Sequence, residues 1–171
     1  MSRIALTNAD FRLHQARRHY VPLASTLFAC LLALLPVVVN APYVPDLAFL
    51  TLISWRLLRP DLWTAKAVLP IGLFNDLVAG HPLGQSMALW TIAVLLLDLV
   101  ETRVVFRDFW MDWLFAAVLI IFYTAGDWYI GRLMGSATHF SVMLPQLGLS
   151  LFAYPLIAWL IVGLDRWRLA R

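Results

Sequence analysis

Polar residues in this chain fall into short stretches, and between them lie six apolar runs at 21–39, 43–58, 63–80, 83–104, 110–131 and 142–164. The runs are not the narrow amphipathic stripes of helices on a water-soluble core. They are apolar nearly all round, the pattern of helices that face lipid or are enclosed by other helices. The pattern predicts an all-α, polytopic membrane helix bundle of six transmembrane helices. A basic segment (1–20) precedes the transmembrane domain (21–164), and a basic tail (165–171) follows it. The second and third runs are short for a hydrocarbon layer of ~30 Å, which takes about 20 residues to cross. Folding the two into one re-entrant hairpin would leave Arg56, Arg59 and Lys66 at a tip inside the bilayer, at high cost. Two spans are expected instead, with Arg56 and Lys66 reaching back to the interface along their apolar stems.

Composition agrees with that pattern. Hydrophobic residues make up 62% of the 171 positions and charged residues 13%, against ~45–50% apolar in soluble domains. Little chain is left for a soluble domain beside the bundle. The first run follows a basic stretch, and Val39-Asn40-Ala41 superficially resembles a signal-peptidase site. The run is longer than the 7–15 residues of a signal-peptide core, and Pro42 would follow the cut, so a retained helix is expected. Cys30 is the single cysteine, so no intrachain disulfide and no cysteine metal cluster can form. A net charge of +3 raises nucleic acid as a partner, but the basic residues sit at the ends of the apolar runs. Of thirteen Lys and Arg, all but Arg132 fall on one side if the N-terminus is cytoplasmic. That asymmetry predicts both termini inside.

Polar residues inside the runs are fewer and more telling. In Gly72–Gly84, GLFNDLVAGHPLG, an Asp interrupts an apolar run, and a carboxylate in a lipid-facing segment is costly without a partner. Gly72, Asp76 and Gly80 are spaced i, i+4, i+8 and share one helix face, where another backbone can come close. Gly80 suits a left-handed helix end, and Pro82 the first turn of the next helix. Together with Gly84 these are the expected hairpin and packing residues. Asp76 has two readings. It can accept hydrogen bonds from N–H groups opening the next helix, around Gly84 and Gln85, or it can face a cavity and bind a partner or ligand; the structural role carries the greater weight. With both termini inside, Asn75, Asp76, Gln85, Asp127 and Gln146 all fall in the outer part of the bundle. They form a candidate polar cluster facing a partner or ligand.

Other polar positions have plainer readings. Asp46 complements the positive end of the second helix. Asp127 is expected to pair with Arg132 or a neighbouring helix. Asp98, Glu101 and Arg103 are expected to contact Arg56 or Lys66 near the cytoplasmic face. Pro70 and Pro155 free the carbonyls of Lys66 and Leu151. His81 and His139 are isolated, and no His or carboxylate recurs at metal-ligand spacing. Ser86, Ser136 and Ser141 have no base placed beside them. Neither a catalytic residue, nor a cofactor, nor a metal is expected.

The chain is similar to the bacterial rod shape-determining protein MreD family. The resemblance covers size and layout, and is sharpest from Pro45 to Trp90. It rests on Pro45-Asp46 opening a span, Trp55 followed by Pro60, and Gly72-Leu73-x-x-Asp76-Leu77-x-x-Gly80-x-Pro82-Leu83-Gly84. After Glu101 only the general character matches, and the basic N-terminus is longer than the family pattern. The resemblance implies a non-enzymatic subunit of the cell-elongation complex in the bacterial cytoplasmic (inner) membrane. Such a subunit would contact the bitopic protein MreC, work with the filament protein MreB and peptidoglycan synthases, and touch lipid but no nucleic acid. The residues alone leave open a substrate-binding subunit of a vitamin-uptake transporter, whose six helices would enclose an outward-facing site.

Overall fold

The computed structural model describes residues 8–34, 44–101, 108–137 and 139–169, with side chains from Tyr20 onward. Among these the fold is all-helical, without a strand. Its six helices are α1 (Asn8–Leu32), α2 (Leu47–Leu58), α3 (Ala65–Ala79), α4 (Gln85–Glu101), α5 (Phe109–Leu133) and α6 (Leu144–Leu169). Short 3₁₀ turns at Pro60–Leu62 and Phe140–Met143 lead into α3 and α6.

The order of packing follows from α2. Ten consecutive residues of this helix, Ala48 to Leu57, are buried. Most are apolar, as a helix enclosed on all sides requires, and Thr51, Ser54 and Arg56 are the polar exceptions. It packs against α1, α4, α5 and α6, while α1–α3, α3–α4, α4–α5, α5–α6 and α6–α1 contacts close a ring around it. Twelve residues make an axis of only about 18 Å at 1.5 Å per residue. Asp46 caps its start by accepting from Phe49 N at 2.9 Å. Its end is set by Pro60, which disfavours helical geometry at Arg59, whose φ and ψ are −140° and 89°.

Two stretches, Phe109–Leu133 and Phe140–Leu169, are long and apolar enough to cross a membrane; the apolar part of α1 (Tyr20–Leu32) and α2 are shorter. Several boundaries differ from the sequence expectation. Helix α1 starts at Asn8, inside the basic N-terminal segment, and residues 35–39 of the first run lie outside the described residues. Helix α6 continues through the expected tail to Leu169, because Asp165 and Arg168 are buried against α2. Helix α4 opens at Gln85, so Pro82 stands in the preceding turn, where its carbonyl accepts from Gln85 N at 3.0 Å.

Candidate functional site: a polar cavity at one end of the ring

The most extensive helix contact, α3 with α4, is built on the Gly72–Gly84 segment. A Cβ on Gly72 would lie 2.6 Å from Met87 Cα and 2.8 Å from Met87 N, so only glycine admits so close a crossing. Gly80 ends α3 in the left-handed region (φ 73°, ψ 23°). Gly84 has φ of 93°. The Asp76 carboxylate, 1% exposed, then lies beneath the start of α4. It accepts from Gly84 N at 2.9 Å, Ser86 N at 2.7 Å and, more distantly, Met87 N at 3.5 Å. A side chain of one helix thus satisfies backbone donors that the next helix cannot satisfy within itself. Beside it Asn75 Nδ2 donates to Ser86 Oγ at 3.1 Å, and His81 Nδ1 lies 3.3 Å from that oxygen.

Above this hairpin opens a cavity of about 440 Å³, lined by residues from α1, α2, α3, α5 and α6. Its polar lining is Asp46, Asn75, His81, Tyr123, Asp127 and Gln146; Ala29, Leu32, Leu47, Ala48 and Met143 supply apolar wall. Asp46 is held by Tyr123, whose hydroxyl donates to Asp46 Oδ2 at 2.6 Å. The Tyr123 ring stacks on Phe49 at 4.2 Å between centroids, and Trp90 lies 6.1 Å beyond Phe49. Asp127 accepts from the buried Gln85 side-chain amide.

The structure brings the sequence-derived cluster together in part. Asn75, Asp127 and Gln146 line the cavity. Gln85 stands behind Asp127, and Asp76 is committed to the start of α4. Asp127 takes the neighbouring-helix alternative, since Arg132 lies over the Trp128 ring at 5.1 Å instead. Sequence reasoning missed Asp46 and Tyr123 as cavity residues. The available signals were the N-cap spacing from Asp46 to Phe49 and the i, i+4 spacing from Tyr123 to Asp127, which puts both on one face.

The opposite end of the ring carries a compact charge network. Arg56 does not reach out to an interface: it is 2% exposed and grips Glu101 through both terminal nitrogens at 3.0 and 2.8 Å. It also pairs with Asp98, whose side chain is 48% exposed. Asp165 accepts from Arg59 at 3.0 Å and pairs with Arg168 at 2.6 Å. The Arg168 guanidinium lies 5.0 Å above the Trp55 ring centroid. Enclosed by the ring, Arg56 has carboxylates closer than solvent, which is why pairing replaces snorkelling. Lys66 is exposed, and the expected contact of Arg103 lies outside the described residues.

Compared with protein-family models, curated proteins and solved structures, the chain finds no match.

Proposed function

We propose that the chain is a non-catalytic, multi-pass subunit of the bacterial cytoplasmic membrane that works by contact. In this reading all six helices lie across the bilayer with both termini cytoplasmic. The subunit binds MreC and, with MreB and the peptidoglycan synthases, helps organise lateral peptidoglycan synthesis and cell shape. The observation that carries the reading is the Gly72–Gly84 hairpin. Two residues of the motif that carries the MreD resemblance, Gly72 and Asp76, fix the α3–α4 crossing through the Met87 contact and the bonds to the start of α4. A motif with that use belongs to a scaffold.

The outer surface supports a lipid environment. Phe152, Trp159 and Trp110 are 85%, 70% and 76% exposed, and so much bare aromatic surface is unusual on a soluble monomer. In this reading the short helix α2 is tolerated because the ring of the other helices encloses it.

Gentle purification from the native membrane tests the proposal. MreC is expected to accompany the protein. A small metabolite recovered in its place would overturn the reading in favour of the vitamin-uptake alternative, which the 440 Å³ cavity favours.

A further inference from the structure

We propose that the cavity between α1, α2, α3, α5 and α6 binds an organic cation, an ammonium or guanidinium group on a short apolar stem. The site stands on the geometry alone; the source of the cation rests on the partner-binding reading above. Two carboxylates, Asp46 and Asp127, line the cavity; its one basic lining residue among those described is His81, whose Nδ1 lies 3.3 Å from Ser86 Oγ, and no described lysine or arginine lines it. Their neighbouring donors are already engaged, with Tyr123 and Phe49 N on Asp46 and Gln85 on Asp127. Asn75, 2% exposed, spends its N–H on Ser86, and its carbonyl oxygen has no partner among the described residues. The cavity therefore presents acceptors and negative charge.

Both carboxylates are half-buried, where they are stabilised by an opposite charge within reach, and two of them against one histidine favour a cation over an anion. The space, about 440 Å³, lies in the range of small-ligand pockets (about 300–1,000 Å³) and far exceeds a bare metal ion. Among the described residues no three His, Cys, Asp or Glu side chains are grouped to hold a metal. The apolar wall beside the carboxylates suits a methylene stem, as on an alkylamine or on a lysine or arginine side chain.

The full-length protein in lipid nanodiscs is titrated with n-butylammonium and, as the neutral control, n-butanol, following thermal unfolding by tryptophan fluorescence. Butylammonium is expected to raise the melting temperature and butanol to leave it unchanged. Asp127→Asn and Asp46→Asn keep an acceptor for Gln85 and for Phe49 N. Each is expected to weaken butylammonium binding at least tenfold, while Asp127→Glu retains it. Equal binding by the wild type and the double Asn variant, or an equal response to butanol, would overturn the proposal. Should Asp46→Asn fail to fold, the Asp127→Asn and Asp127→Glu pair decides alone.

Co-purification then separates the sources. A double variant that loses both butylammonium and the bitopic partner assigns the cation to a basic side chain of that partner. Loss of butylammonium with the partner retained assigns it to a free amine. A wild-type protein that retains no partner overturns the contact reading and leaves the titration to stand.

Discussion

At the scale of single residues, the two ends of the bundle treat their carboxylates differently. Asp76 is enclosed and satisfies backbone donors that have no other partner. Its replacement by Ala strands buried N–H groups at about 1–3 kcal/mol for each. Asp98 is half exposed and shares Arg56 with Glu101, so Asp98→Ala leaves the guanidinium gripped by the second carboxylate. Asp76→Ala is therefore expected to lower the unfolding temperature in detergent clearly more than Asp98→Ala, and equal losses would refute the capping role. Removing Asp98 and Glu101 together leaves Arg56 buried and uncompensated, a change expected to cost about 3–5 kcal/mol. The same measurement checks it, with Arg56→Met added to the double variant expected to recover most of the loss. The Asp76 position was legible because its signals are local: a carboxylate, small residues one turn away on either side, and a turn immediately after. The Asp46–Tyr123 bond joins residues 77 apart, and no local pattern announces such a pair. The contacts of Asp98 and Glu101 with Arg56 were legible in the sequence. The burial of Arg56 was not, because snorkelling assumes a helix at the edge of a bundle and this helix is at the centre.

At the scale of elements, the helices were legible from apolar run length and their arrangement was not. Nothing in the local sequence distinguishes α2 as the helix the others surround, except that nine of its twelve residues are apolar and that it is too short to face lipid comfortably. Helix ends set by glycine and proline, at Gly80 and Arg59-Pro60, could be read. The end of α6 could not, since Asp165 and Arg168 look like a solvated tail until Trp55 and Arg59 are brought beside them. The α3–α4 crossing gives a test at this scale. Gly72→Ala drives a methyl group into the Met87 backbone and is expected to destabilise by about 1–3 kcal/mol, as overpacking does. Gly163→Ala, where a Cβ meets nothing within 4 Å, is expected to be near neutral. Paired unfolding curves in detergent decide the matter, and equal effects would mean that the helices do not cross as tightly as described.

At the scale of the whole molecule, the proposed topology places the cavity outside and the Arg56 network inside. With Cys30 replaced by Ala, single cysteines at Ser2 and Ser136 should respond oppositely to a membrane-impermeant thiol reagent in intact cells. Labelling is expected at 136 alone, and equal labelling of both would exclude the six-span arrangement. The central position of α2 also constrains how the protein is made. Arg56 is synthesised 42 residues ahead of Asp98 and 45 ahead of Glu101. At about 5–20 residues per second its counter-charges leave the ribosome roughly 2–9 s after it. In the proposed topology α2 carries an unpaired arginine during that interval, and it waits at the cytoplasmic surface until its carboxylates arrive. In that reading the helix at the middle of the finished ring is among the last to settle. A nascent chain arrested before residue 98 would hold α2 in a state that the complete protein never shows.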